Sequence, residues 1–306
     1  MAPPLARDFG IELIGNFDDE ALRTFLDPAD GGVDPGVLAI AMTGANAELV
    51  ARVAAALPDT ARESFQPAPV EEHRALSVAR AQSNVIDRLF WPLVYWNHPD
   101  DYEELVSGER IDSRVLDVLD LDGRVVCDIG AGAGRFTLLA AARAKSVVAV
   151  DAVPALLDRL RRNAGAAGLD NVDTRRGSFK ALPLDGGSVD IAVACSSFRS
   201  HGPHGGRRAL AEAERVVRPG GDVAVIWPQE RAWFRRHGFT YIAVQSDDEV
   251  RFRDVATAER LCAAYYSAAA AAWVRRHQSA EVPYRVLGTS PPSSVCLKRV
   301  SQSRVS

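Results

Sequence analysis

The feature that most constrains this chain is a turn of three glycines, Gly130, Gly132 and Gly134, placed between a strand and a helix. The residues just before Gly130 are apolar and partly β-branched, apart from Asp128, which is typical of a buried parallel strand. Residues 136–143, after the turn, are good helix formers. Each glycine either takes a positive φ or lets a ligand approach where a Cβ would clash. We therefore expect a ligand to contact backbone here, beside the positive N-terminal end of the helix.

Glycine turns of this kind serve more than one class of ligand, and their spacing separates the classes. The dinucleotide fingerprint G-x-G-x-x-G would place its third glycine at position 135, which is Arg135. A second apolar strand at residues 146–150 ends in Asp151, about 20 residues after the turn, which suits a βαβ unit. A carboxylate at that position can accept both ribose hydroxyls of an adenosine. The segment is therefore predicted to bind an adenosine-type ligand.

The sequence from Asp128 to Gly134, followed by Asp151, resembles the first two motifs of class I S-adenosylmethionine-dependent methyltransferases. The resemblance covers roughly residues 112–245 and weakens toward the C-terminus. The Arg-Pro-Gly-Gly sequence at residues 218–221, expected to end a helix before a strand, is a further match. The resemblance implies an α/β fold with a doubly wound, seven-stranded, Rossmann-like sheet. It also implies S-adenosyl-L-methionine as the cofactor and methyl transfer to an O, N or C nucleophile of an acceptor.

The resemblance also implies roles for the turn and for the strands that follow it. The three glycines would pass close to the methionine and ribose of the cofactor, and Asp128 would orient the turn and reach the methionine end. Asp151 would hold the ribose hydroxyls. The family usually has an aspartate at the adenine where this chain has Ser178, whose hydroxyl can still accept a hydrogen bond. The implied cofactor-binding residues are Asp128, Gly130, Gly132, Gly134, Asp151, Ala152, Ser178, Phe179 and Cys195.

Two histidines follow the predicted fourth strand, residues 188–195, in a loop at the carboxyl end of the sheet, where doubly wound folds bind ligands. Either His201 or His204 is a candidate general base near neutral pH. The alternative is a surface-loop histidine or one that helps to cap the next helix. Methyl transfer needs mainly alignment and deprotonation of the nucleophile, so no metal is expected. The strand ends in Cys-Ser-Ser-Phe rather than Asn/Asp-Pro-Pro-Tyr/Phe, which argues against an enzyme that methylates the exocyclic amines of bases.

Residues 1–112 lack the pattern of the glycine-turn segment. They are predicted to form an all-helical domain, serving as a lid or an interaction module, ahead of a methyltransferase domain at residues 113–306. Short helices are expected to begin near Asp18, Pro35 and Asn46, which are typical helix-start residues.

Residues 17–66 are similar in pattern to a helical repeat of the flagellar motor-switch (rotor) proteins, whose armadillo-like stacks offer surfaces to other helices. The alternative is a generic bundle of short helices. After a proline-containing linker, a long helix is predicted at about residues 70–89. The aromatic stretch that follows contains Trp91, Tyr95 and Trp96. These side chains would either form a lid over the cofactor or pack the segment against the next domain.

The remaining elements follow the same alternation of helices and strands. Helices are predicted at residues 154–165, 207–217 and 257–277, strands at residues 171–176, 222–227 and 240–244, and a last antiparallel strand from residues 284–287 and 294–298.

The composition limits the functions that the chain is expected to have. With a net charge of −4, 47% hydrophobic and 25% charged residues, the chain gives no electrostatic case for nucleic acid or an anionic membrane. Cys127, Cys195, Cys262 and Cys296 lie too far apart for a zinc site or a disulfide framework. The N-terminus has no signal-peptide pattern, and no apolar run reaches transmembrane length. We therefore expect a cytoplasmic protein that acts on a small molecule. The excess of arginine over lysine and the abundance of alanine indicate a bacterial genome.

Two alternatives to the methyltransferase reading stay open. One is an NAD(P)-dependent oxidoreductase on a related sheet, against which Arg135 and the match at residues 218–221 count. The other is a non-catalytic protein that keeps S-adenosylmethionine as a structural ligand and binds a protein partner through its N-terminal helices.

Overall fold

The computed structural model of the chain describes residues 3–67, 75–244 and 249–301. Grouped by their contacts, the residues form two compact units. The first unit is Met1–Tyr102 with Ala256–Gln278, and the second is Glu103–Val255 with Ser279–Ser306. The predicted domains, residues 1–112 and 113–306, stay a prediction.

The second unit contains the sheet on which the glycine turn lies. The strands are β1 Val125–Ile129, β2 Ser146–Asp151, β3 Val172–Arg176, β4 Val189–Cys195, β5 Val217–Ile226, β6 Thr240–Ala243, β7 Glu249–Arg251, β8 Glu281–Pro283 and β9 Ser294–Arg299. Seven of them form one sheet in the order β3-β2-β1-β4-β5-β9-β6, and β7 pairs with β8. The pairs from β3 to β5 are parallel, whereas β9 runs antiparallel to both β5 and β6. The predicted seven-stranded doubly wound sheet is confirmed.

The interior strand β1 is buried on both of its faces, which explains its nearly continuous apolar sequence. Val126 packs in one apolar cluster, with Phe136 and other side chains. Its neighbour Cys127 packs in another cluster, together with Ile129 and Phe179. Because successive side chains of a strand point to opposite faces, the two clusters cover the two sides of the sheet. The glycine turn therefore leaves the sheet from a well-fixed strand.

Helices make up the first unit and flank the sheet of the second. Their bounds are α1 Asp19–Leu26, α2 Pro35–Ala41, α3 Ala47–Ala56, α4 Asp59–Arg62, α5 Ala75–Asn97, α6 Pro99–Gly108, α7 Ser113–Leu119, α8 Thr137–Ala141, α9 Pro154–Ala166, α10 Gly206–Val216, α11 Arg231–Arg236, α12 Val255–Leu261, α13 Ala268–His277 and α14 Tyr284–Leu287. The helix after the glycine turn, α8, is shorter than the predicted helix at residues 136–143.

The predicted helix starts in the first unit are confirmed by their caps. The side chain of Asp18 accepts the first-turn N–H of α1, Asp34 does so ahead of Pro35 in α2, and Asn46 does so for α3. Each cap satisfies a backbone donor that has no partner within the helix. The N-terminal segment is therefore helical, as the sequence predicts.

The long helix α5 extends beyond its predicted end at residue 89. Its predicted start at residue 70 lies outside the described residues, and the helix continues to Asn97 with Pro92 in its interior. The aromatic stretch is thus helical. The ring centroid of Trp91 lies 6.1 Å from that of Tyr95 and 6.3 Å from that of Tyr265, all within the first unit. These contacts give the aromatic side chains a packing role there, and their role as a lid stays a prediction.

The predicted single helix at residues 257–277 is wrong. α12 ends at Leu261, and a π-helical turn, Cys262–Tyr266, separates it from α13. Ser267 then takes an extended backbone conformation, and its hydroxyl oxygen accepts the N–H of Ala270 at 3.0 Å. The break follows from this cap, because an N-cap residue leaves the helical conformation.

The strand predicted at residues 284–287 is also wrong, because these residues form α14 and β9 alone completes the sheet. The Arg-Pro-Gly-Gly sequence does not precede its strand but lies inside β5, which begins at Val217. A Cβ on Gly221 would lie 2.4 Å from the carbonyl oxygen of Asp190. Glycine is needed there because β4 and β5 approach closely at this point.

All four cysteines are free and buried. Burial raises the pKa of Cys195 to about 11, of Cys262 to about 12 and of Cys296 to about 11, and it also raises the pKa of Cys127. Within the described ranges, none of the helices combines the length and the apolar character needed to cross a membrane.

Candidate functional site

The glycine turn between β1 and α8 lies at the carboxyl end of the sheet, with Gly130 half-buried and Gly132 and Gly134 buried. Gly130, Gly132 and Gly134 have φ angles of 75°, 56° and 104°, in the left-handed region that side chains disfavour. The N–H of Gly130 donates to the carbonyl of Val150 at 2.8 Å, which holds the turn against the end of β2. A Cβ on Gly130 would lie only 2.8 Å from Cζ of Phe179. The Phe179 ring therefore occupies the space that a side chain at position 130 would need.

Asp151, the last residue of β2, fixes the turn through its carboxylate. Oδ2 accepts the N–H of Gly132 at 2.9 Å, and Oδ1 accepts the N–H of Val153 at 2.9 Å. Burial raises the pKa of Asp151, and the backbone N–H groups of Val153, Gly132 and Ala152 act in the opposite direction. A carboxylate has about four acceptor positions, so the three N–H groups leave one for a further donor. The carboxylate can thus accept a further hydroxyl while it holds the turn.

Asp128 precedes the glycine turn, near the end of β1, and is almost fully buried. The hydroxyl of Thr137, in the first turn of α8, donates to its Oδ2 at 2.5 Å. Burial raises the pKa of Asp128 to about 7, the Thr137 hydrogen bond lowers it, and the nearby charge of Asp151 raises it further. Asp128 therefore ties β1 to α8 across the turn and titrates near neutral pH.

Phe179, rather than Ser178, makes the close contact with the glycine turn. Its buried ring lies against Gly130 and meets the rings of Phe198 and His204 edge-on, with centroid distances of 5.8 and 5.5 Å. Ser178 is half-buried, and its backbone pairs with that of Ala181 in a tight loop. The loop after β3 thus places an apolar wall beside the turn, with the Ser178 hydroxyl next to it in sequence.

Cys195, at the end of β4, lies beside an ion pair that the sequence does not signal. One guanidinium nitrogen of Arg135 donates to its Sγ at 3.6 Å, and another lies 2.7 Å from Oε2 of Glu109. Both charged side chains are mostly buried, at 14% and 10% exposed. Because the thiol pKa is raised to about 11, Cys195 is protonated at neutral pH and acts as a wall rather than as a nucleophile.

The two candidate histidines differ sharply. Desolvation lowers the pKa of His204 to about 4, helped by the positive charges of Arg199 and Lys180. A ring with this pKa is neutral and weakly basic at pH 7. The side chain of His201, in contrast, is 73% exposed, and its Nδ1 lies 3.0 Å from the hydroxyl oxygen of Ser200. His201 is therefore the more accessible of the two rings.

The backbone is strained where β4 and β5 end, next to the glycine turn. Ser196 and Trp227, the first residues after these strands, have positive φ angles of 62° and 56°. Such conformations cost roughly 1–3 kcal/mol in residues other than glycine and tend to mark functional sites. Ser197 links this edge to β1, because its hydroxyl donates to the carbonyl of Ile129 at 3.1 Å.

The fold brings most of the predicted site residues to one place and adds others. The turn, Asp151 and Phe179 are in direct contact, and Asp128 and Cys195 lie behind the turn at the ends of β1 and β4. Sequence reasoning missed Ser197, Ser200 and Glu230. A usable signal exists for all three, since they are polar residues just after β4 and β5, whose carboxyl ends meet at one edge. Glu109 carries no such signal, because only the fold brings it to Arg135.

The family model described as a methyltransferase domain matches residues 126–221. The matched segment is similar to a methyltransferase domain. It runs from β1 into β5 and includes the glycine turn, Asp151 and both candidate histidines. The match supports the resemblance to class I methyltransferases. It gives no support to the flagellar resemblance of residues 17–66, which it does not cover.

Relatives with methyltransferase names are similar to part of this chain. An uncharacterized methyltransferase of Mycobacterium tuberculosis is 34% identical over 139 residues, which cover 44% of this chain and 53% of the relative. An uncharacterized methyltransferase-like protein of Schizosaccharomyces pombe is 35% identical over 104 residues, 34% of this chain and 38% of the relative. The chain thus spans about half, or less, of the length of these curated relatives.

Solved structures also align with part of this chain. The YcgJ protein of Bacillus subtilis aligns with a TM-score of 0.43 and 14% identity, over 62% of this chain and 97% of that one. A SAM-dependent methyltransferase of Aquifex aeolicus aligns with a TM-score of 0.38 and 21% identity, over 43% of this chain and 81% of that one.

Proposed function

We propose that this chain is an S-adenosylmethionine-dependent methyltransferase whose acceptor is a small molecule. The observation that carries the proposal is the hydrogen bond from Gly132 to the carboxylate of Asp151, inside the segment that matches a methyltransferase domain. It fixes a carboxylate next to a turn without side chains. This arrangement suits a nucleoside whose ribose hydroxyls bond the carboxylate while its chain lies along the backbone.

The residues present fit that cofactor. Asp151 retains acceptor capacity for a ribose hydroxyl, and Phe179 offers an apolar surface for adenine, with Ser178 as the polar neighbour and Ala152 beside Asp151. Asp128 holds the turn in shape through Thr137. Cys195 closes the inner end of the site as a neutral side chain. S-adenosylmethionine supplies a methyl group that is already activated on a sulfonium, so the protein has mainly to align the acceptor and remove its proton.

A small-molecule acceptor fits the surface at the carboxyl ends of β4 and β5. A cavity of about 410 Å³ opens there, lined by Ser200, Glu230 and Trp233 among others. This volume is within the range of small-ligand sites. The net charge of −4 gives a polyanionic acceptor no general attraction. A protein partner of the N-terminal helices and a cytoplasmic location are further expectations that belong to this proposal.

The test is calorimetric titration of S-adenosylmethionine and S-adenosylhomocysteine into wild type, Asp151→Ala and Asp151→Asn. We expect micromolar binding by wild type and at least a tenfold loss in both variants. Removing the charged acceptor of a ribose hydroxyl costs more than one factor of ten. Asp173→Ala is the matched control, because Asp173 is a carboxylate on the neighbouring strand that pairs with Arg175 at the surface.

The outcome also separates the alternatives. No binding of either ligand to folded wild type contradicts the proposal, and binding of NADH instead would restore the oxidoreductase. Binding without turnover over a broad acceptor panel, together with a stable protein partner, would favour the non-catalytic alternative. Circular dichroism of each variant establishes that a lost affinity is not a lost fold.

A further inference from the structure

We propose that Glu230, acting through Ser200, holds the ring of His201 with Nε2 free to take a proton, and that the methyl acceptor is therefore an O–H or N–H nucleophile. The inference rests on the proposed methyl transfer for its chemistry. The arrangement of the three side chains, named here the Glu230–Ser200–His201 relay, is a feature of the structure by itself.

The first link of the relay is a two-point contact between Ser200 and Glu230. The Ser200 hydroxyl donates to Oε1 of Glu230 at 2.8 Å, and the backbone N–H of Ser200 donates to Oε2. A carboxylate can only accept, so the single hydroxyl proton of Ser200 points to Glu230. The orientation of that hydroxyl is thus fixed by the carboxylate.

The second link fixes the tautomer of His201. Its Nδ1 lies 3.0 Å from the oxygen of Ser200, whose proton is already used. The serine oxygen must then accept, and Nδ1 must carry the proton. A neutral imidazole has one N–H, so its Nε2 keeps a free lone pair. When Nε2 takes a proton, the resulting cation has the Glu230 carboxylate 3.7 Å from Nδ1 to stabilise it.

The relay stands where an acceptor would bind. Ser200 follows β4 and Glu230 follows β5, two neighbouring parallel strands whose carboxyl ends lie at the edge that carries the glycine turn. Both residues line the cavity of about 410 Å³, and His201, bonded to Ser200, is 73% exposed. His204 has no comparable role, since its ring is desolvated against Phe179.

The relay gives the methyl transfer a defined destination for the proton. The O–H or N–H bond of the acceptor breaks, and its proton goes to Nε2 of His201. The electron pair left on the acceptor forms the bond to the methyl carbon as the S–CH3 bond breaks and its pair passes to sulfur. The imidazolium then releases its proton to water. An acceptor without such a proton, such as a thioether or a tertiary amine, would make no use of the relay.

The test reads the tautomer directly and requires no acceptor. Long-range ¹H–¹⁵N spectra of the full-length protein, recorded where histidines are neutral, distinguish Nδ1–H from Nε2–H rings. His201→Gln identifies the signals of His201. We expect about a tenfold preference for Nδ1–H in wild type, since a single hydrogen bond sets it. In Ser200→Ala the preference should be lost, and Ser200→Thr, which keeps the hydroxyl, should restore it.

Two other histidines serve as internal references. Nδ1 of His237 and of His277 lies 2.8 Å from the carbonyl oxygens of Trp233 and Trp273. A carbonyl only accepts, so both rings are Nδ1–H when neutral, and their signals should not move in the Ser200 variants. Unchanged reference signals also show that each variant is folded.

Two results would overturn the inference: an Nε2–H ring at His201 in wild type, or an Nδ1–H ring that survives Ser200→Ala. Titration of S-adenosylmethionine into the same samples keeps this failure separate from that of the proposed function. If S-adenosylmethionine binds but His201 has the wrong tautomer, only the relay is contradicted. If S-adenosylmethionine does not bind, the proposed methyltransferase function is contradicted.

Discussion

At the scale of single residues, Asp128 illustrates how burial converts an ordinary carboxyl group into one that titrates near neutrality. Its pKa is raised from 3.8 to about 7, chiefly by burial. Between these two values the unfolded chain releases the proton while the folded chain keeps it. The unfolded state then binds fewer protons, so the free energy of unfolding falls as pH rises from about 4 to about 7. A difference of three pKa units corresponds to about 4 kcal/mol.

We therefore expect Asp128→Asn to remove this pH dependence, since asparagine is similar in shape, stays neutral and can still accept the Thr137 hydroxyl. Relative to wild type, the variant should gain on the order of 4 kcal/mol in free energy of unfolding between pH 4 and pH 8. Urea denaturation at both pH values measures the difference. Asp173→Asn, at an exposed carboxylate, is the control. A constant difference between Asp128→Asn and wild type at all pH values would contradict the expectation.

The same scale shows what a sequence can and cannot predict about a site. Asp128, the three glycines and Asp151 are recognisable because their order and spacing belong to one local strand–turn–helix–strand segment. His201 and His204 look alike in sequence, three residues apart in one loop. Only the fold separates them, because it buries one ring against Phe179 and leaves the other exposed beside Ser200.

At the scale of elements, the glycine turn combines a backbone constraint with a packing constraint. Gly130 has a φ of 75°, and a Cβ there would meet the Phe179 ring at 2.8 Å. Gly168, after α9, has a similar φ of 68°, with nothing within 4 Å of an added Cβ. A side chain at either position would therefore have the same unfavourable backbone conformation, but only a side chain at position 130 would also clash with Phe179.

Alanine at the two glycines should separate these costs. Gly168→Ala should lower the free energy of unfolding by about 1–2 kcal/mol, the cost of a side chain in the left-handed region. Gly130→Ala should lower it by about 1–3 kcal/mol more, because the added methyl group overpacks the Phe179 contact. Urea denaturation measures both. Adding Phe179→Leu to Gly130→Ala should recover part of the excess, and equal losses at the two glycines would refute the packing constraint.

Elements differ in how far the sequence predicts them. The single strands follow from apolar runs of strand length separated by helices. The family resemblance implies that there are seven of them, and only the structure gives their order. The break at Ser267 and the helix α14 were missed for local reasons. An alanine-rich run has high helix propensity on both sides of a capping serine, and Tyr284–Leu287 is too short to show a period of two or of 3.6.

At the scale of the whole molecule, binding of the proposed cofactor should affect the two units differently. S-adenosylmethionine at about 100 times its dissociation constant should stabilise the structure that binds it by about 2.7 kcal/mol. We expect hydrogen exchange to slow in peptides that contain the glycine turn, Asp151 and Phe179, and to stay unchanged in α1–α4. Mass spectrometry with and without the ligand measures this.

The same experiment tests the predicted lid. Slower exchange at the aromatic end of α5, around Trp91 and Tyr95, would support a lid, whereas unchanged exchange there would leave those rings as packing within the first unit. If hydrogen exchange at the glycine turn is the same with and without ligand, the proposed cofactor site itself is contradicted.

The four buried cysteines have a practical consequence for such work. Their thiols are shielded from solvent and held protonated at neutral pH, so alkylating dyes and spin labels should react with them slowly. A cysteine introduced at an exposed position in each unit would then be labelled selectively in the otherwise native chain. Fluorescence or electron-spin distances between two such labels would follow the motions of the working protein.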